Sequence, residues 1–168
     1  MTPADSQTAI IARFADGPAQ LEQALAGLRD ADLDAPPGQG GWTIRQIVHH
    51  IADGDDLWKV CIKAALGNEQ GEFTLEWYWV LPQDTWADRW GYASRPIDES
   101  LALFKASRAH VLQLLAHVPN GWGRSIAFRR PTGETTRITV SAVVEMQADH
   151  LRHHVRRILA IRKERGGT

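Results

Sequence analysis

The sequence contains a single cysteine, Cys61, among its 168 residues. One thiol can form neither an internal disulfide nor a thiolate-rich zinc cluster, and it is typical of a protein in a reducing cytoplasm. The sequence also lacks a long apolar run and an N-terminal leader of charged and then apolar residues. We therefore expect a cytoplasmic protein that is not exported and does not span a membrane.

An excess of charge of one sign is also missing. The chain has 19 Lys and Arg residues against 20 Asp and Glu residues, which leaves a formal net charge of -1. This balance predicts no general affinity for nucleic acid or for anionic membranes. The phosphate-binding loop, the dinucleotide fingerprint and the G-x-S-x-G nucleophile motif are absent as well. The partner that we expect is a small-molecule substrate.

The composition that is present is typical of one globular domain. Apolar residues make up 43% of the chain and charged residues 23%, which are ordinary fractions for a folded protein. A chain of 168 residues is long enough to bury a substantial core, and it contains no internal repeat. We predict a single domain over residues 1–168.

Apolar residues recur with helical periodicity in four stretches. Because no comparable set of strands accompanies them, they predict an all-α protein, an antiparallel four-helix bundle. Gly17 and Pro18 are expected to bend or interrupt the first helix. The predicted helices are about Thr8–Leu28, the segment from "GWTIRQI" to Gly67, Ile97–His117 and Thr139–Lys163.

Two of the connections are longer than simple turns require. The first, residues 68–95, is an aromatic connection that either covers one end of the core or lines a binding pocket for an apolar group. The second, residues 120–138, has two β-prone runs around a Pro-Thr-Gly turn and predicts a small β-hairpin before the last helix. The aromatic connection contains four of the seven tryptophans, namely Trp77, Trp79, Trp86 and Trp90.

The start of the second helix has a structural explanation of its own. Thr43 is predicted to cap the helix, and Gln46, three residues later, to complete a capping box. The segment "GWTIRQI" is therefore first a helix-start signal, and any chemistry lies further along, in "VHHIAD".

Three histidines lie within five positions in "DHLRHHVRRI" near the end of the chain. His150 and His154 are four residues apart, so they are neighbours on one helical face. Helical zinc sites use this spacing because adjacent turns bring both imidazoles within reach of one ion. Both lie on one flank of the apolar stripe of the last helix. His153 falls on the opposite, polar side and is predicted to be a surface residue.

The second helix offers a third imidazole. His50 lies on the flank of its apolar stripe and can meet His150 and His154 if the two helices are neighbours. His49 falls on the polar side and is predicted to be exposed. Asp53 is either an ordinary exposed carboxylate or an acceptor that orients the His50 ring. The spacing itself leaves two alternatives open for the three inward histidines, a metal site or hydrogen-bonded packing at the core edge.

The other residues that could take part in chemistry also have simpler structural explanations. His110 and His117 have no partner at a useful spacing and are predicted to be exposed or peripheral. Cys61 is predicted to be a small buried residue. A basic patch near the proposed site is either a solvated helix face or a partner for a substrate carboxylate. Its members are Arg152, Arg156 and Arg157.

The two histidine motifs together resemble those of the DinB/YfiT-like superfamily of metal-binding four-helix bundles. The first motif is "GGWTIRQIVHHIADGD", and the second, about a hundred residues later, is "HLRHHVRRI". The segment "RRPTGETTRITVSAV" is similar to the one that precedes the last helix in the YfiT-like branch. The resemblance covers residues 20–161, nearly the whole chain.

This resemblance implies a ligand set and a cofactor. The ligands would be the second histidine of the first motif and the outer two of the H-x-x-x-H motif, which are His50, His150 and His154. The ion would be a divalent metal, nickel or zinc, completed by water. The resemblance also implies a homodimer.

The resemblance implies two activities for such a centre. Members of the branch are described as metal-dependent hydrolases, or as thiol S-transferases that use low-molecular-weight thiols such as bacillithiol, mycothiol or glutathione. The expected enzyme activates either water or a thiol at its metal. The alternative is a non-catalytic bundle that binds a metal or a small ligand. The sequence departs from close relatives at Gly54 and Asp55, where a small residue and another histidine are expected, and this leaves substrate handling open.

Overall fold

The computed structural model describes residues 3–38 and 40–166. The four predicted long helices and the predicted hairpin are confirmed, and the helix ends lie within a few residues of those expected. The first helix continues through Gly17 and Pro18 without interruption. The helices are α1 (Pro3–Leu25), α2 (Asp30–Leu33), α3 (Ile44–Gly67), α4 (Glu76–Trp79), α5 (Gln83–Arg89), α6 (Asp98–His117) and α7 (Val140–Glu164), and the strands are β1 (Glu72–Thr74), β2 (Ser125–Arg129) and β3 (Thr135–Thr139).

The four long helices, α1, α3, α6 and α7, form the bundle, in which α1 and α3 each pack against both α6 and α7. Residues in the first half of α3 pack with the second half of α7, and residues in the second half of α3 pack with the first half of α7. The two helices are therefore antiparallel. Contacts of His49 with Ser100 and of Asp55 with Arg108 show that α3 runs parallel to α6. The bundle thus contains both antiparallel and parallel neighbours, and its antiparallel pair α3 and α7 carries the histidines.

The starts of the two histidine-bearing helices are capped by their own side chains. Thr43 accepts a hydrogen bond from the Gln46 backbone, and the Gln46 side chain accepts one from the Thr43 backbone, which confirms the predicted capping box. Thr139 likewise accepts a hydrogen bond from the backbone of Ala142 at the start of α7.

Among the residues that the structure describes, no helix combines the length and the apolar character needed to cross a bilayer.

The predicted hairpin is part of a three-stranded sheet. Strands β2 and β3 pair antiparallel as expected, and β1, from the aromatic connection, pairs parallel with β2. The Trp58 ring of α3 packs against Phe73 of β1 and Phe128 of β2, with ring centroids 6.1 and 5.5 Å away. The sheet therefore holds the aromatic connection against the bundle, close to the middle of α3.

A buried arginine joins all four long helices. Arg108 of α6 donates hydrogen bonds to the Asp55 carboxylate of α3 (2.7 Å), the Phe14 carbonyl of α1 (3.0 Å) and the Gln147 carbonyl of α7 (2.9 Å). Its guanidinium lies between the rings of Phe14 and Phe104. The Arg108 and Asp55 side chains are 1% and 3% exposed. Asp55 therefore belongs to the buried network that joins the helices.

Gly17 provides the space that this arginine occupies. A Cβ atom at position 17 would lie 2.1 Å from Arg108 Nη1 and 2.6 Å from Leu151 Cδ2. Arg108 cannot move aside without breaking its buried hydrogen bonds. The glycine is therefore required by the close approach of a side chain to the α1 backbone.

We expect Gly17→Ala to lower the free energy of unfolding by roughly 1–3 kcal/mol, because overpacking outweighs the better helix propensity of alanine. Gly67→Ala, at a helical glycine where an added Cβ would meet nothing within 4 Å, is the matched control and should be neutral or slightly stabilising. Urea denaturation of both variants measures the difference. Equal stabilities would contradict the close-packing explanation.

Candidate metal centre

Three imidazole rings converge where α3 and α7 face each other. His50 Nε2 lies 3.0 Å from His150 Nε2, which lies 3.1 Å from His154 Nε2. Potential ligand atoms of all three residues lie within 4.8 Å of one another. Two nitrogen ligands of one tetrahedral zinc ion, each roughly 2.0–2.1 Å from it, lie about 3.3–3.4 Å apart, which is close to the two shorter distances. The structure thus brings together the three histidines that the sequence selected, while their metal ligation stays a prediction.

The hydrogen-bonding capacity of the rings tests whether a cation fits this cluster. A neutral imidazole nitrogen carries either one hydrogen or one lone pair. His150 Nε2 contacts two other ring nitrogens and can form only one full hydrogen bond with them. At least one of these contacts is therefore poorly satisfied without a cation, whereas three lone pairs pointing at one ion satisfy every Nε2. The donor set fits a divalent metal that binds nitrogen ligands.

Burial keeps the three rings neutral, which is the form that binds metal. The pKa of His50 is lowered to about 3, mainly because its imidazolium would lose hydration. The same desolvation, with smaller repulsion from neighbouring cations, lowers the pKa of His150 to about 4 and that of His154 to about 2. At neutral pH the cluster therefore does not have to lose protons before an ion binds.

Asp53, one of whose two suggested roles was to orient the His50 ring, has a different partner. The half-buried Asp53 carboxylate accepts a hydrogen bond of 2.6 Å from the Tyr92 hydroxyl. The Nδ1 atoms of His150 and His154 are buried and have no hydrogen bond partner among the described residues. Because no described residue accepts a hydrogen bond from these two Nδ1 atoms, the protein itself does not fix which ring nitrogen carries the hydrogen. An ion bound at Nε2 would place the hydrogen on Nδ1.

The cluster opens onto a cavity of about 530 Å³. Trp42 forms one wall, with its ring 4.7 Å from that of His50 and its Nε1 donating to the Asp84 carboxylate at 2.6 Å. Arg157 and His153 also line this cavity. Within residues 3–38 and 40–166, no fourth His, Cys, Asp or Glu joins the three-histidine group. An ion there would keep a coordination position open to the cavity, as catalytic sites do and closed structural sites do not.

The prediction that His49 is exposed is wrong. The residue is fully buried. Its Nε2 lies 3.1 Å from the Arg95 carbonyl, which can only accept, so Nε2 carries the hydrogen and Nδ1 accepts from the Ser100 hydroxyl at 2.8 Å. Desolvation lowers the pKa of this ring as well. His49 thus holds the segment after α5 against α3.

The remaining histidines and the cysteine lie outside the cluster. His153 and His117 are exposed, and His110 is half-buried, in line with the sequence prediction. Cys61 is fully buried, and desolvation raises the pKa of its thiol to about 12, so it is a packing residue and not a nucleophile. Of the three arginines in the basic patch, only Arg157 lines the cavity, and Arg152 pairs with Asp149 on the surface.

The tryptophans of the aromatic connection divide between cover and pocket. Trp86 and Trp90 pack with Tyr78 in a stack of rings against the core. Trp77 is half exposed. Trp79 lines a second cavity that shares His50 and His150 with the first. The aromatic connection thus covers the core through Trp86 and Trp90 and lines a cavity through Trp79, while binding of an apolar group there stays a prediction.

Comparison with known proteins points to one family. The family model described as the DinB superfamily matches residues 13–158 of the chain. A protein of Geobacillus kaustophilus is 30% identical over 150 residues, which are 89% of this chain and 80% of that protein. A Bacillus cereus protein is 30% identical over 154 residues, which are 91% and 83% of the two chains. Both relatives bear the name "putative metal-dependent hydrolase".

A solved structure is similar to the whole chain. YfiT from Bacillus subtilis, described as "a probable metal-dependent hydrolase with an unusual four-helix bundle topology", matches with a TM-score of 0.81 and 25% sequence identity. The match covers 100% of this chain and 92% of YfiT. The mixture of parallel and antiparallel neighbours found here fits that description of the topology.

Proposed function

The chain belongs to the DinB superfamily, and on that premise we propose that it is a metal-dependent hydrolase whose ion is held by His50, His150 and His154. The observation that carries the proposal is the convergence of three neutral Nε2 atoms at the floor of an open cavity. When bound there, a divalent ion acts as a Lewis acid that makes water, or a thiol, nucleophilic near neutral pH. Nickel and zinc are among the ions that imidazole ligands suit.

The surrounding residues have separate roles in this proposal. Trp42 shields the His50 edge of the centre from bulk water and fixes its own ring by donating to Asp84. Arg157, half-buried at the cavity wall, is placed to pair with an anionic group of the substrate. The chain thus supplies ligands, an apolar wall and a cation around one open coordination position.

Thiol S-transfer is the second candidate. Arg157 at the cavity wall favours it, because a low-molecular-weight thiol with a carboxylate could pair with the guanidinium while its sulfur reaches the ion. In that reaction the thiolate forms a bond to the electrophilic carbon of the second substrate, and the leaving group departs with the electron pair. The two candidates differ in whether product formation requires an added thiol.

Hydrolysis of a panel of small esters and amides tests the proposal. We expect the metal-loaded protein to release acid without any added thiol, and chelation or His150→Ala to reduce the rate to the uncatalysed level. His117→Ala, an exposed histidine outside the site, is the control. Turnover that appears only when a thiol is added would select thiol transfer, and activity that survives chelation would contradict both candidates.

A further inference from the structure

A second cavity, which we call the slot, lies beside the histidine cluster. Its volume is about 160 Å³, and His50 and His150 form part of its wall. The remaining wall is largely apolar and comes from α3, the aromatic connection and α7. It includes Leu57, Trp58, Leu75, Tyr78, Trp79 and Met146.

The size of the slot matches one small ring. A buried cavity of about 150 Å³ lined by apolar side chains binds benzene in another protein. Aromatic and aliphatic walls stabilise a ring through the area that it removes from water and through edge and face contacts. Gly54 contributes no side chain to the wall, and a Cβ atom there would already reach within 3.5 Å of the His150 ring. The glycine thus leaves room for a ring beside His150 in the slot wall.

One polar side chain in the slot wall has unused hydrogen-bonding capacity. Gln147 is 3% exposed, and its Oε1 is buried without a hydrogen bond partner among the described residues. Its backbone carbonyl accepts from Arg108, which holds this part of α7 in place. Leaving a buried amide oxygen unpaired costs about 1–3 kcal/mol. Gln147 also borders a smaller cavity beside Ser107. A turn of its side-chain amide toward the slot would let a ligand donor pair with Oε1 and recover part of that cost.

We propose that the slot binds a ring-sized apolar group bearing an O–H or N–H that hydrogen-bonds the Gln147 amide. Resting on the proposed hydrolase function, this assigns the substrate class as small esters or amides whose scissile bond is attached to such a ring. The shared walls formed by His50 and His150 place that bond beside the metal centre. Hydrolysis breaks the acyl bond, and water gives its hydroxyl to the acyl carbon and its proton to the released oxygen or nitrogen.

Ring binding to the chelator-treated, metal-free protein tests the slot without any turnover. The probes are 4-fluorophenol and 4-fluorotoluene, which have nearly the same size and differ in the hydroxyl, and fluorine NMR titration gives their affinities. We expect the phenol to bind about tenfold more tightly, as one hydrogen bond to the buried amide implies. Gln147→Met should abolish this preference, whereas Gln113→Met, at an exposed glutamine, should retain it.

A second variant locates the bound ring. Met146→Trp, at a half-buried wall position, should fill the slot and weaken both probes at least tenfold. The proposal is overturned if neither probe binds, if the Gln147→Met protein keeps the preference, or if Met146→Trp leaves both affinities unchanged. None of these results depends on a metal, so the slot and the hydrolase proposal can fail independently.

Discussion

Replacing His150 with alanine is expected to abolish stoichiometric metal binding, whereas His153→Ala should retain about one divalent ion per chain. His150 Nε2 is the central atom of the cluster, in contact with the Nε2 atoms of both His50 and His154. His153 is exposed on the same helix three residues away, so it controls for the loss of an imidazole. Elemental analysis of purified, untagged protein measures the metal content of all three forms.

Thermal unfolding supplies a second readout of the same prediction. An ion that binds only the folded chain stabilises it by about 2.7 kcal/mol at a hundredfold excess over its dissociation constant. Added nickel or zinc should therefore raise the Tm of the wild type and of His153→Ala, but not that of His150→Ala. If the unmutated protein holds no metal after soaking in nickel and zinc, the three histidines are packing residues and the hydrolase proposal fails with them.

Asp55→Asn should lower the free energy of unfolding by about 3–5 kcal/mol, the usual effect of breaking a buried ion pair. The substitution keeps the shape of the side chain but leaves the Arg108 guanidinium charged, buried and without its counter-ion. Because Arg108 also holds backbone carbonyls of α1 and α7, the loss should affect the packing of all four long helices. Urea denaturation followed by circular dichroism gives the difference.

The neighbouring residue provides the matched control. Asp56 is in a partly exposed ion pair with Lys59, with 45% of the Asp56 side chain accessible. Pairs of this kind contribute about 0–1 kcal/mol, so Asp56→Asn should be close to neutral. Similar effects of the two substitutions would show that the pair between Arg108 and Asp55 does not hold the bundle together.

The position of this ion pair could have been predicted in part. Asp55 follows Ile51 by four residues and precedes Trp58 by three, so it lies on the apolar stripe of α3. Arg108 lies in the same way between Phe104 and Val111 on α6. Two opposite charges at core positions indicate a buried pair. That they pair with each other required knowing that α3 and α6 are parallel neighbours.

More of the histidine cluster than of the ion pair could be predicted from the sequence. The four-residue spacing of His150 and His154 and the position of His50 on the flank of its helix follow from 3.6 residues per turn, a local property of the backbone. The family resemblance then linked the two helices. The hairpin was likewise predicted from its turn, whereas the pairing of β1 with β2 joins segments about fifty residues apart and has no local signal.

The sequence by itself determined the four long helices, the starts of α3 and α7 and the inner flanks that carry His50, His150 and His154, because periodicity and capping act over a few residues. The short helices α2, α4 and α5 were not predicted. Only the tertiary structure decided which residues pack against each face of a helix. His49 lies on a polar helix side, yet it is buried because the segment that carries Arg95 covers it. The slot beside the metal centre has walls from α3, the aromatic connection and α7. Burial and cavities depend on contacts between distant segments, and no local pattern encodes those contacts.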